Sequence, residues 1–159
     1  MSQVVAITRN GVNTEQLYGT LDAINQNPSL GTFRFRARNT WIDGAHDRSA
    51  TEAQANPAEY LLHALAACLT TSLVYVATAR KVRLTEVEST LEGDMDVRGA
   101  LGLDDDYRNG FERIRVSFRI QGEGPPEKLR EIASRASRRS AVYDMVTNGV
   151  PVAIEVETP

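Results

Sequence analysis

The chain has 159 residues, 42% of them hydrophobic and 25% charged, with a net charge of −3. That is one domain's worth of ordinary globular composition, able to bury roughly two thirds of its unfolded surface without a disulfide or metal staple. The charge balance gives no sign of nucleic-acid or membrane binding, no run approaches the roughly eighteen apolar residues of a membrane span, and Met1 to Asn10 lacks a secretory pattern.

Asn13 to Asn25 reads as a short amphipathic helix, capped by Asn13 or Thr14, with Leu17, Leu21 and Ile24 at helical spacing; Asn27-Pro28 ends it. From Gly31 to Trp41 the period becomes two: Phe33, Phe35 and Ala37 alternate with Arg34, Arg36 and Arg38, a half-buried strand with a basic outer face. Asp43-Gly44 signals a turn, and Ala45 to Ala55, without a large apolar residue, reads as a polar loop. Asn56 then caps the strongest helix in the chain. Pro57 suits its first position and Glu59 complements the positive end of its dipole. Tyr60 to Ala79 is apolar or small on nearly every side, which predicts a central helix buried on every face.

Val87, Leu91, Met95 and Val97 share one face of a strand from about Thr85 to Val97. Arg98 to Gly110 reads as a loop, and Phe111 to Ile120 as a strand in which Ile114, Val116, Phe118 and Ile120 alternate with polar residues. Pro126 opens a helix with Leu129, Ile132, Ala133 and Ala136 as its apolar stripe. Ser140 caps a further short helix that Asn148-Gly149 stops, and Val152 to Val156 closes the chain as a strand. With no βαβ rhythm and no repeats, the expected class is α+β, mainly antiparallel, as a single domain over residues 1–159.

The chain has one cysteine, Cys68, which excludes an intramolecular disulfide; His46 and His63 cannot complete a zinc site with it. Ala66 and Ala67 precede it, small neighbours that would let a substrate approach a reactive thiol. Against that, free cysteines often pack as small hydrophobes, and activation needs a nearby cation or dipole. Arg34, Arg36 and Arg38 are the candidate cations. His63, five residues before Cys68, points about 140° away around the helix and is poorly placed as its base. Asp94, Asp96, Gly99 and Asp105 superficially match a calcium loop, but Arg98 occupies a ligand position, so no metal or cofactor is expected. Arg135, Arg138 and Arg139 stand where a helix C-terminus favours cations in any case.

Asn56-Pro57-Ala58-Glu59-Tyr60-Leu61-Leu62-His63-Ala64-Leu65-Ala66-Ala67-Cys68 resembles the signature helix of the OsmC family, osmotically inducible protein C and the organic hydroperoxide resistance proteins. Trp41-Ile42-Asp43-Gly44, the loop from Gly102 to Gly110, Ser140 to Asp144 and Val150-Pro151-Val152 are similar to the family's OsmC-like branch. The resemblance implies an α+β fold of mainly antiparallel sheets around long central helices, in an intertwined homodimer with sites at the subunit interface. It implies a thiol peroxidase in oxidative-stress defence: Cys68 as nucleophile, with Glu59 and Arg38 matching the glutamate and arginine that orient it. Glu59 stands one place beyond the family's position, which is Ala58 here. The resolving cysteine's place falls at Ser140, so an external thiol would reduce the sulfenic acid. The loop from Ala45 to Ala55 is short for this branch. The alternative is a non-catalytic homodimer binding a small apolar ligand in its interface cleft. Neither reading involves nucleic acid, a membrane or a cofactor, and both place the protein in the cytoplasm.

Overall fold

A computed structural model of the chain describes residues 8–9, 12–43, 46–50 and 56–158. Expectations for residues 1–7, 10, 11, 44, 45 and 51–55 lie outside them, as do those for the side chains of Asn13, Thr14, Leu17, Phe33, Phe35, Ala37, Trp41 and His46. The elements in order are β1 (Thr8–Arg9), β2 (Val12–Asn13), α1 (Thr14–Gln26), a 3-10 turn (Pro28–Gly31), β3 (Thr32–Asp43), β4 (His46–Ala50), α2 (Pro57–Ala79), β5 (Leu84–Asp96), α3 (Val97–Ala100), β6 (Phe111–Gly122), α4 (Pro126–Ser137) and α5 (Ala141–Asn148). β1 and β2 pair antiparallel, and the larger sheet has the order β4-β3-β5-β6. This is the expected α+β class.

β4 corrects the expected polar loop. Residues 46–50 pair antiparallel with β3, Arg38 opposite Ala50 and Trp41 opposite Asp47, with an irregularity between Trp41 and Asp43. A strand held by backbone hydrogen bonds at a sheet edge needs no alternating apolar residues, so side-chain pattern could not reveal it. Ion pairs give the remaining register. Arg34 meets Asp94 and Arg38 meets Glu88; Arg115 meets Asp94 and Glu92, and Arg119 meets Glu86 and Glu88. Partner numbers on β5 fall as those on β3 and β6 rise, the signature of antiparallel pairing.

By contacts the residues group into two units, Met1–Phe35 with Glu92–Arg115, and Arg36–Leu91 with Val116–Pro159. In the first, the side chain of Asn27 caps the 3-10 turn by accepting the Ser29 N–H, and Gly31 is buried where a Cβ would press on Ile24 and Asp96 at 3.2 Å. Asp96 is buried and ends β5. Its carboxylate accepts the backbone N–H of Arg98 at 3.0 Å and two guanidinium hydrogen bonds, at 3.0 and 2.7 Å. That guanidinium in turn lies 3.7 Å from the centroid of the Tyr107 ring, a cation–π contact. These contacts turn the start of the expected loop into the short helix α3.

The core of the second unit is Leu73, Val76 and Ala77 of α2, Val82, Val87 of β5, and Ile132 and Ala136 of α4, flanked by Leu84, Phe118, Ile120, Leu129 and Ala133. The expected α4 stripe therefore faces this core. α2 ends with Lys81 at φ 55°, while the Val82 N–H reaches back to the Ala77 carbonyl at 2.9 Å and Val82 is buried. That is a Schellman-type stop with lysine where glycine is usual. α5 ends as expected, with Gly149 at φ 71°.

Three expectations change. By length and apolar composition Pro57–Ala79 could cross a membrane, although half of its most apolar stretch is buried within the chain, as in a core helix. α2 is not buried all round: Tyr60 and Tyr75 are 65% and 62% exposed, and Leu61 is exposed as well. Finally, Val152 to Val156 forms no strand. Its alternating residues Val152 and Ile154 stand 79% and 85% exposed, since this segment pairs with no sheet edge among the described residues.

Candidate functional site

Everything about the candidate site depends on how α2 is set. Asn56 is extended (φ −83°, ψ 169°) and its side-chain oxygen accepts the Glu59 N–H at 3.0 Å. Glu59 Oε2 reciprocates, accepting the Asn56 N–H at 2.9 Å. This capping box satisfies two donors that a helix start would leave unpaired, and Pro57 removes the need for a third. From there the apolar sequence runs on for 23 residues, and Cys68 is the middle one.

At 100° per residue, Leu61, Ala64, Ser72 and Tyr75 all lie within about 40° of Cys68 around α2. Leu61, Ala64 and Tyr75 are exposed, and Cys68 and Ser72 are half-buried. Leu62, Ala66 and Leu73 lie about 120–160° away around the helix, Leu65, Leu69 and Val76 on its flanks, and all six are buried. The thiol thus sits on the stripe of α2 that the described residues of its own chain leave uncovered. Helical spacing of Tyr60/Leu61, Ala64, Cys68, Thr71/Ser72 and Tyr75 was readable in the sequence. The uniform apolarity of the helix masked it.

His63 points away from Cys68, as expected. Among the described residues its buried Nδ1 has no hydrogen-bond partner, and neither has the Oγ of fully buried Ser89. Glu59 precedes Cys68 by nine residues, about 13.5 Å along the axis and half a turn around it. Within one chain its carboxylate serves the cap rather than the thiol. Arg38 sits on the outer face of β3, its side chain 67% exposed, paired with Glu88 at 3.4 Å. α2 therefore does not bring Glu59 to Cys68 within a single chain. Ser140 is buried, and its Oγ accepts the Tyr143 N–H at 3.2 Å as the N-cap of α5, a helix that packs on α2.

Two of the three aspartates of the apparent calcium loop, Asp94 and Asp96, are held by arginines instead. Hydrogen bonds from Arg115, and then from Arg34, hold the Asp94 carboxyl well below its ordinary value against the opposing effect of burial. Arg98 does the same for Asp96, and Asp96 raises the pKa of Arg98 in return. Among the described residues no cluster of three or more His, Cys, Asp or Glu is arranged to hold a metal ion.

The chain is thus an α+β protein whose long Asn-Pro-capped helix carries its cysteine at the centre, on a stripe that the described residues leave uncovered. The family model for OsmC-like protein matches residues 50–155, and the chain belongs to the OsmC family. Among solved structures it is similar to an OsmC-like hydroperoxide resistance protein from Jannaschia sp. CCS1, at 15% identity and a TM-score of 0.55, over 78% of this chain and 91% of that one. It is also similar to an OsmC-like protein from Mycoplasma pneumoniae, at 18% identity and a TM-score of 0.52, over 67% and 77% respectively. At these identities the likeness is one of fold. No curated protein matches the chain.

Proposed function

We propose that this protein is a one-cysteine hydroperoxide reductase acting in oxidative-stress defence, a cytoplasmic homodimer in which Cys68 is the nucleophile. The position of Cys68, half-buried at the centre of the uncovered apolar stripe of α2, carries this reading. The similarity to a hydroperoxide resistance protein supports it. The Cys68 thiolate attacks one oxygen of the peroxide: an S–O bond forms, the O–O bond breaks, and the departing alkoxide takes a proton to become an alcohol. An external thiol then attacks the sulfenic sulfur, releasing water and leaving a mixed disulfide; a second thiol restores Cys68 and departs as the oxidised disulfide.

Ser140 cannot take the resolving role, since a hydroxyl forms no disulfide. The exposed apolar stripe and Val152 to Val156, unpaired among the described residues, favour burial against a second subunit. Because Glu59 is far from Cys68 of its own chain, a Glu59 and Arg38 pair acting on the thiolate would reach it across that interface. The test is trapping of the sulfenic acid with dimedone after cumene hydroperoxide, together with steady-state turnover on a dithiol. Stoichiometric trapping at Cys68, much faster than for free cysteine, is expected. Reaction no faster than that of free cysteine refutes the reading.

The substituted resolver and the capping role of Glu59 favour a second reading, a non-catalytic homodimer that binds a small apolar ligand in its interface cleft. It would show ligand-induced thermal stabilisation that survives Cys68→Ser.

A further inference from the structure

We propose that the hollow between α1, the 3-10 turn and α3 in the first unit is a binding site for a small, uncharged apolar molecule. The hollow has a volume of about 460 Å³, and its apolar walls are Gly19, Ala23, Ile24, Leu30, Val97 and Leu101. That volume lies within the range of about 300–1,000 Å³ typical of small-molecule sites. The other described lining residues are Gln16 and Thr20, and the Thr20 hydroxyl already donates to the Gln16 carbonyl at 2.9 Å. With no charged side chain among the described residues of its wall, the site has nothing there to hold a phosphate, a carboxylate or a metal ion. It is a bowl made by three short elements, neither a strand edge that an extended peptide could join nor a long groove for a helix. Its shape and chemistry commit it to a compact neutral ligand.

The walls are built before any ligand arrives. α3 supplies Val97 and the residue that ends it, Leu101, and Asp96 fixes its start by capping the Arg98 N–H and gripping the Arg98 guanidinium. The Leu101 N–H closes the turn on the Val97 carbonyl at 2.9 Å. Opposite, Ile24 is buried and packs against Gly31. Leu30 and Leu101 remain exposed at the rim, apolar surface that a ligand would cover. Gly19 stands inside α1, where glycine weakens a helix, and a Cβ there would meet nothing within 4 Å. Gly19 lines the hollow, and a side chain built there has open space to enter.

The test is a fluorescence titration of the full chain with N-phenyl-1-naphthylamine, a neutral apolar probe that brightens out of water. Saturable binding of one probe per chain is expected. Gly19→Leu, which should fold at least as well since its side chain enters open space, weakens binding at least tenfold. Leu30→Asp, which puts a charge on the exposed rim, weakens it similarly, and Cys68→Ser leaves it unchanged. Absence of saturable binding, or equal affinity in the parent and both hollow variants, overturns the proposal. So does a change in sedimentation with Gly19→Leu in the absence of probe binding, which would assign the hollow to a second copy of the chain.

Discussion

Asn56→Ala isolates the device that starts α2. The substitution removes the acceptor of the Glu59 N–H and leaves the Glu59 carboxylate holding the Asn56 N–H without its reciprocal bond. Replacing a capping side chain by alanine costs about 0.5–2 kcal/mol. The site is half-buried, so water replaces only part of the lost bond, and a cost of about 1 kcal/mol is the central expectation. With a urea m-value of about 2 kcal/mol/M for a chain of this size, the midpoint falls by about 0.5 M at unchanged m. Glu59→Gln is the companion, because its amide oxygen can still accept the Asn56 N–H; it should lower the midpoint by less than half as much. Urea unfolding followed by circular dichroism at 222 nm measures both. If Asn56→Ala leaves the midpoint unmoved, or Glu59→Gln costs as much as Asn56→Ala, the reciprocal cap is not what sets the start of this helix. Measuring sulfenylation of Cys68 in the Glu59→Gln variant then separates capping from any action on the thiol.

Lys81→Gly should raise stability by up to about 1 kcal/mol, since glycine accepts the left-handed conformation without the Cβ clash that lysine bears there; a thermal melt reads it. Ile132→Ala opens a cavity where Ile132 is 1% exposed in the core of the second unit, and should cost about 2–5 kcal/mol in urea unfolding. The Asp94 carboxyl is depressed from its ordinary 3.8, so the stability it contributes is present above that value and is lost as pH falls through its lower folded-state pKa. Asp94→Asn should therefore flatten the decline in urea midpoint at acid pH below about 4, the carboxylate's unfolded value, while changing the curve's shape little above about pH 5.

Helices with strong end signals were legible in the sequence almost to the residue. Asn56-Pro57 and Ser140 at the starts, and Asn148-Gly149 at a stop, are local chemistry that one strand of text carries in full. The alternating arginines of β3 and the apolar face of β5 were legible for the same reason. β4 was not, because His46 to Ala50 owes its conformation to the backbone of β3 rather than to its own side chains. The lack of pairing at Val152 to Val156 among the described residues was hidden too, since alternation reports that a segment could be a strand and not whether an edge awaits it. For the site, the text singled out Cys68 and the helix that bears it. The uncovered side of that helix and the engagement of Arg38 with Glu88 depend on distances that spacing does not encode, whereas the reciprocal cap of Asn56 and Glu59, three residues apart, was open to it.

The exposed Val150 to Val156 tail bears on how the chain must be handled. Alternating β-branched residues with no sheet partner among the described residues make a sticky segment that can join any unpaired edge, including those of unfolded or half-made copies. In the homodimer proposed above, correct assembly and aggregation would compete for one segment, and both would accelerate with concentration. Refolding yield should pass through an optimum as the chain is concentrated, and a charge introduced at Ile154, the most exposed of these residues, should suppress precipitation and native assembly together.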